Sequence, residues 1–429
     1  MTVETKPITQ WKPHGPLAED EQLYFLHIPK TAGTSLRTFL ESHFDLDKVC
    51  PSLVLPDLLP CSPSQLKQYR LFCGHHGLFV NTLLHCEPVT LTVLRDPVAR
   101  TISHYRHLLE TKEDWLHERV KNKTLEEFVC GEWGPVELLN LQTRYLVLDD
   151  IQEDYFGHSH LRTNNTDGLI RKYSDPSWVE KAKHKLDNMA AVGIQERFND
   201  FLKLLSFTFG WSPTQTFLAY NKTKASFDKS SITPKAKARI KELTKIDQEV
   251  YNYATELFEK QFSQMESLPV EESYRRSMAL RPRLSSVHYG FDKAINGENW
   301  LTIERSNGQF ARWTGPGTIT TLDLPLETDK PLVLRFFVGA QTIDVIESVR
   351  VFANNIELTL KWWQMQDLAN GQRTFEAVLS RDILKKNEAY CRLRFEVCRT
   401  VNPSKEWPGR EDGRDLALYF FWLELFPVK

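Results

Sequence analysis

The spacing of apolar residues changes its period along this chain, and that change limits what the chain can fold into. From Glu21 onward, short apolar runs alternate with stretches in which apolar residues recur at helical spacing. "LYFLHI" reads as a strand, and Leu36, Phe39, Leu40 and Phe44 follow as one face of a helix. "RLFCGH" and "PVTLTVL" read as further strands. The second of these runs into "RDPVARTISHYRHLLE", where Asp96 is placed as an N-cap and Pro97 occupies the first helical position. "SDPSWVEKAKHKL" and "SITPKAKARIKEL" are two more helix starts. The latter opens one long amphipathic helix through Ile240, Leu243, Ile246, Val250, Tyr253 and Leu257. Strands alternating with helices predict an α/β domain with a P-loop-like parallel sheet flanked by helices.

Near Glu266 the texture becomes polar, with two prolines in "ESLPVEESYRRSMALRPRLSS", and residues 266–286 read as a linker. Beyond it the period is two. In "CRLRFEVCR", Cys391, Leu393, Phe395 and Val397 share one face, while Arg392, Arg394 and Glu396 share the other. Similar strands separated by Gly, Asn, Asp and Pro turns predict an all-β sandwich or jelly-roll over residues 287–429. The expected organisation is a leader over 1–20, a catalytic domain over 21–265, the linker, and the β domain.

Bulk properties exclude some functions. The net charge of -2 argues against a surface devoted to nucleic acid or anionic membrane, though not against a local basic pocket. No apolar run approaches the roughly 18 residues of a spanning helix. The N-terminus has no apolar core of signal-peptide length. Seven cysteines at irregular spacings, with no CxxC pair, favour reduced thiols over a disulfide framework or a zinc site. These features together set the expectation of a cytoplasmic protein.

The strand "LYFLHI" ends in Pro29-Lys30-Thr31-Ala32-Gly33-Thr34-Ser35 before a helix. A strand–turn–helix start presents backbone N–H groups to an anion. Gly33 permits close backbone approach, Thr34 and Ser35 add hydroxyls, and Lys30 adds a point charge. The lysine precedes the glycine, unlike the GxxxxGK[ST] order of magnesium-nucleotide loops, so a metal–nucleotide site is not implied. A tight turn with a capping threonine fits this loop equally well when it is taken alone. Arg95 ends another strand and Ser103 follows eight residues later, just over two helical turns on, so both can reach one anion. Two anion sites at strand ends suggest a ligand with two separated phosphate groups.

"HIPKTAGTSL" and "LRDPVARTISHYRHL" together resemble the cofactor signatures of sulfotransferases that use 3′-phosphoadenosine 5′-phosphosulfate (PAPS). The similarity is greatest to the carbohydrate group that contains the heparan sulfate 6-O- and 2-O-sulfotransferases. "NLQTRYL", "AVGIQERFNDFLKLL", "AYNKTKA" and "IDQEVYNYATELF" resemble the 6-O branch, and the likeness runs from Glu21 to Phe262. It implies the sulfotransferase fold and no metal. It also implies that Lys30, Thr31, Ala32, Gly33, Thr34 and Ser35 hold the 5′-phosphosulfate, with Lys30 at the bridging oxygen. Arg95 and Ser103 would grip the 3′-phosphate, and Thr223 and Lys224 would close over the cofactor.

Sulfuryl transfer needs a base for the acceptor hydroxyl, and a histidine titrates in the right range. "FCGHHGLF" supplies two. The 2-O pattern maps to His75 and the 6-O pattern to His76. Adjacent strand residues face opposite ways, so one of the two meets the cofactor; His75 is preferred and His76 is second. His27 reads as structural, His104 and His107 as a solvated helix face, and Glu196 and Arg197 as either substrate contacts or helix caps. The expected reaction is O-sulfation of a carbohydrate hydroxyl by a bacterial enzyme. O-sulfation of a lipid or small natural product is a second reading, and a non-catalytic glycan-binding protein is a third. In the β domain, Trp313, Trp362, Trp363, Trp407 and Trp422 are candidates to stack on sugar rings, with core packing the better account of at least half. The alternative for that domain is a structural partner or a dimer interface, the latter making the protein a homo-oligomer.

Overall fold

The computed structural model describes residues 11–148, 173–213, 232–306, 308–363, 371–387 and 389–428. They divide into two compact units. The first takes the described parts of Met1–Arg37, Lys48–Thr208 and Ala219–Leu268, and the second those of Thr38–Asp47, Phe209–Leu218 and Pro269–Lys429.

The first unit is built on four short strands: β1 (Leu23–Leu26), β2 (Leu71–Gly74), β3 (Val89–Leu94) and β4 (Ala191–Ile194). All pair in parallel, in the order β2-β1-β3-β4. Strands buried on both faces need apolar side chains throughout, and β1, β2 and β4 are buried at every residue. Because the strands are parallel, the segments that leave β1, β2, β3 and β4 all emerge at one sheet edge. Helices α1 (Gly33–Glu41) and α2 (Pro97–Glu110) follow β1 and β3. At the start of α2 the Asp96 carboxylate accepts the Ala99 N–H at 2.8 Å, and Pro97 fills the first turn, as the sequence predicts.

Four more helices matter here: α3 (Leu141–Val147), α4 (Ser177–Asp187), α5 (Pro234–Leu243) and α6 (Lys245–Glu266). The expected single helix from Thr233 to Leu257 is in fact two, broken at Thr244. Asn140 makes the break. Its N–H donates to the Leu243 carbonyl at 3.0 Å, and its side-chain oxygen accepts the N–H groups of Ile246 (3.0 Å) and Asp247 (3.2 Å). A side chain about a hundred residues away thus caps the start of α6. Asn140→Ala leaves two buried donors unsatisfied, and an expected loss of about 2–4 kcal/mol in chemical denaturation checks the assignment.

The second unit holds eleven strands, all pairing antiparallel. One sheet runs β11 (Ile356–Glu357), β10 (Arg350–Ala353), β14 (Cys391–Glu396), β8 (Ile319–Leu324). The other runs β12 (Lys361–Trp363), β13 (Gln372–Leu379), β9 (Leu332–Ala340), β15 (Leu418–Pro427), β7 (Gln309–Thr314), β6 (Trp300–Ser306), with β5 (Val287–Gly290) also on β15. Alternate residues of both sheets, among them Leu322, Val351, Leu393, Phe395, Phe336, Phe375 and Phe420, form a single core. Phe336 meets Phe395 at a centroid distance of 5.3 Å. This is the β-sandwich that the period-two pattern predicts.

The segment expected as a linker contains a helix, α7 (Val270–Ala279), with Tyr274 and Met278 buried. Tyr274 donates to Asp323 at 2.8 Å, and Asp323 also takes two hydrogen bonds from Arg392. Among the tryptophans, Trp407 packs on the core, and Trp313 lies against Tyr419 at 4.6 Å. Trp422 sits near Phe337, while Trp362 and Trp363 are exposed on β12. No helix among the described residues is long and apolar enough to cross a membrane. None of the seven cysteines is joined in a disulfide.

Candidate active site

The site is assembled from what leaves the strands at the shared sheet edge. The turn after β1 is wound tightly. Its φ angles alternate in sign, +70° at Lys30, negative at Thr31 and +69° at Ala32. Such alternation turns successive N–H groups toward one point and makes an anion-binding nest. Two non-glycine residues in the left-handed region cost of order 1 kcal/mol or more each, so the surrounding structure must hold them. Part of that support is visible. The Thr31 hydroxyl donates to the Ile28 carbonyl at 2.8 Å, which commits it to bracing the turn. Arg95, leaving β3, donates from Nη1 to the Lys30 carbonyl at 3.1 Å. Ala32 is partly buried, Gly33 and Ser35 are buried, and Thr34 is exposed at the start of α1.

Gly33 is required by contact rather than by φ. A Cβ there would lie 1.6 Å from His27 Nε2. The His27 ring occupies the space beneath the turn, stacked on Phe25 (5.1 Å) and tilted against His75 (4.2 Å). Gly33→Ala is expected to destabilise the chain by about 2–4 kcal/mol in chemical denaturation. Adding His27→Ala should recover part of that loss, because it removes the obstacle.

The two histidines after β2 differ in kind. His76 is fully buried, its ring facing Tyr24. Burial first, and the neighbouring His75 next, push its pKa down to about 3. It has no exposed edge to offer an acceptor. His75 is half-buried, pairs with Val54 in a one-residue bridge, and places Nδ1 2.7 Å from the His27 carbonyl. A carbonyl only accepts, so Nδ1 carries the proton and Nε2 presents a lone pair. Burial lowers the His75 pKa, the His27 carbonyl partly offsets this, and Lys30 lowers it further. The ring is thus held neutral in the tautomer a general base needs.

Positive charge gathers around the turn. Burial lowers the Lys30 pKa first, and Arg95 and Arg100 lower it further against the opposing pull of Glu110. Arg95 is held through its backbone. Its N–H donates to Gln142 Oε1 at 3.0 Å, and Gln142 Nε2 donates back to the Arg95 carbonyl at 2.8 Å. Gln142 is held in turn by Asp247, which accepts the N–H groups of Gln142 (3.2 Å) and Thr143 (2.8 Å). Glu196, after β4, accepts the Asp96 N–H at 3.1 Å and the Tyr251 hydroxyl at 3.1 Å, and so straps the same turn. That is a capping role. Arg197 pairs with Asp200 and Glu259.

Ser103 lies partly exposed on α2 and makes no hydrogen bond among the described residues. The expected solvated face of α2 is half-buried instead: His104 pairs with Glu137 at 3.2 Å, and His107 meets Thr111 at 3.0 Å. Thr223 and Lys224 lie outside the described residues. The described residues contain no group of three or more His, Cys, Asp or Glu able to hold a metal ion. Sequence reasoning gave Gln142 and Asp247 no role. They lie in "NLQTRYL" and "IDQEVYNYATELF", whose one sequence signal is the resemblance to the 6-O branch.

A cationic nest, a second basic strand end and a neutral histidine at one parallel sheet edge can hold an anionic donor beside a base. Residues 14–264 match the sulfotransferase family, and the chain belongs to that family. Among its relatives, human heparan-sulfate 6-O-sulfotransferase 2 (Homo sapiens) is 26% identical over 308 residues, covering 63% of this chain and 50% of that protein. The chicken protein of the same name (Gallus gallus) is 25% identical over 328 residues, covering 68% and 80%. Human heparan-sulfate 6-O-sulfotransferase 1 is 26% identical over 298 residues, covering 59% and 69%. The chain thus spans about half the length of the first of these relatives. Among solved structures, the ANX1 ectodomain from Arabidopsis thaliana matches 34% of each chain at 14% identity with a TM-score of 0.17.

Proposed function

We propose that the protein moves a sulfuryl group from PAPS to a hydroxyl of a carbohydrate acceptor. The observation that carries this reading is the juxtaposition of the Lys30–Ala32 nest, Arg95 and the Nδ1-protonated His75 in a chain of the sulfotransferase family. The carbohydrate acceptor is supported by the names of the relatives, which are heparan-sulfate sulfotransferases. The residues present fit the donor: alternating φ turns N–H groups outward, and none of Lys30, Arg95 and Arg100 pairs with a carboxylate among the described residues. When bound, the donor supplies a sulfuryl group already attached to a phosphate leaving group.

In this reading the nest and the start of α1 hold the 5′ end, through backbone N–H groups of residues 31–35 and the side chains of Thr34 and Ser35. Arg95 and Ser103 hold the 3′-phosphate. His75 Nε2 takes the acceptor's hydroxyl proton as its oxygen bonds to sulfur. The His27 carbonyl keeps the opposite nitrogen protonated, so the imidazolium that forms is stabilised in place. The Lys30 ammonium faces the negative charge left on the phosphate side as the old bond breaks.

Transfer of radiolabelled sulfate from PAPS tests this. The expected result is label on an undersulfated polysaccharide or its oligosaccharides. Label only on lipid or small-molecule alcohols would replace the carbohydrate reading, and no transfer to any acceptor would remove the catalytic one.

A further inference from the structure

Arg100 is, with Arg312, among the largest fully buried side chains of the described residues, at 0% exposure. It lies on α2, one turn past the Asp96 cap, and its own N–H donates to the Asp96 carbonyl at 2.8 Å. All three guanidinium nitrogens lack a hydrogen-bond partner among the described residues. Buried charges in folded proteins are nearly always paired, because an isolated one loses its hydration with nothing in return.

The carboxylates that act on Arg100 are occupied elsewhere. Asp247 exerts the strongest pull, then Glu137. Asp247 already accepts two backbone N–H groups and the Thr143 hydroxyl, and Glu137 pairs with His104. Burial pushes the Arg100 pKa down only to about 10, so the group stays charged at neutral pH. Tyr145 adds a smaller pull in the same direction, and Arg95 and Lys30, both cations of the donor cradle, oppose the charge.

We infer that Arg100 is a positioning residue for the anionic donor: a buried positive charge left without a contact partner behind the Arg95 turn, whose counter-charge arrives with the donor's phosphates. The inference rests on the proposed donor and adds to it. At 0% exposure Arg100 does not touch the ligand. It acts through the low-dielectric interior, where its field is weakly screened. The unliganded protein carries an electrostatic strain that donor binding relieves, so stability and affinity are coupled with opposite signs at this residue.

The test is the effect of Arg100→Met and Arg100→Lys on the full chain. Two quantities are read: the melting temperature without nucleotide, and the affinity for adenosine 3′,5′-bisphosphate by titration calorimetry across a salt series. Replacing an unpaired buried charge by an apolar chain of similar length is expected to leave melting unchanged or raised. The same variant is expected to bind the bisphosphate about tenfold more weakly, with a shallower salt dependence. Arg100→Lys keeps the charge and should bind within about threefold of the parent. An Arg100→Met chain that melts lower or fails to fold, or one that binds as tightly as the parent, overturns the inference. The first outcome would make Arg100 a structural counter-ion of Asp247. If the unmodified protein binds no bisphosphate, the donor reading fails instead, and inorganic pyrophosphate becomes the probe. Stabilisation by pyrophosphate that is lost in Arg100→Met supports the anion role; equal stabilisation in both overturns it.

Discussion

Lys30→Ala is expected to slow sulfuryl transfer about a thousandfold while leaving the melting temperature unchanged or raised. Both halves follow from the local structure. Lys30 already carries a Cβ at φ +70°, so alanine adds no backbone strain that lysine does not have. The ammonium forms no ion pair among the described residues, so its removal orphans no carboxylate. Arg95 and Arg100 both oppose its charge, and removing it relieves that repulsion. What disappears is the cation carried by the nest turn, whose value in the proposed reaction lies in the charge that develops on the leaving phosphate. Turnover and a thermal melt on the same preparation check the result. A variant with parental turnover would sink the assignment of Lys30 to the leaving group.

His75→Ala is expected to lower kcat by a factor of about 10²–10⁴, the usual contribution of a positioned general base. The pH profile gives the sharper test. A base must be neutral, and the His75 pKa lies below the ordinary 6.5, chiefly through burial. The parent should therefore hold its rate above neutrality and lose it as pH falls through a value below 6.5. Lys30 is one cause of that lowering, so in Lys30→Ala the acidic limb of the residual rate should move to higher pH. His76→Ala should behave differently. That ring is fully buried against Tyr24, and its loss is expected to cost stability without moving the acidic limb. An unchanged rate in His75→Ala, or an acidic limb that shifts only with His76, would transfer the role or remove it.

The parts of the fold that were legible in the sequence rest on short-range interactions. Asp96 and Pro97 announce α2 because a cap and a first-turn proline act within three residues. The Lys30 turn is visible because small residues between a strand and a helix limit what the backbone can do there. The sandwich is visible because alternation is a property of each strand alone. The segment 266–286 misled because α7 is polar along most of its length. Only Tyr274, Ser277 and Met278 are buried, too few to raise a periodic signal. The single helix expected after Thr233 misled for a different reason. Its apolar spacing is continuous through Thr244, and the break is imposed by Asn140 from outside the segment.

The site shows the same division more sharply. Sequence placed His75 and His76 side by side, and their alternation required that they differ. It did not say which would be sealed under Tyr24 and which would rest on the His27 carbonyl. Nor did it reveal the clamp from Asp247 through Gln142 to Arg95, which spans more than a hundred residues of chain. Arg100 left one trace, an arginine at the buried spacing of α2 alongside Pro97, Thr101, Tyr105 and Leu108.

The sequence by itself determined the elements and the residue types at their ends, because propensity, capping and periodicity act locally. The tertiary structure alone decided which ends meet. Four parallel strands in the order β2-β1-β3-β4 bring a nest, an arginine and a histidine from distant stretches to one edge, and burial there sets the protonation each residue can hold. Neither pairing order nor burial is a property of any segment, since both arise only when the segments pack together.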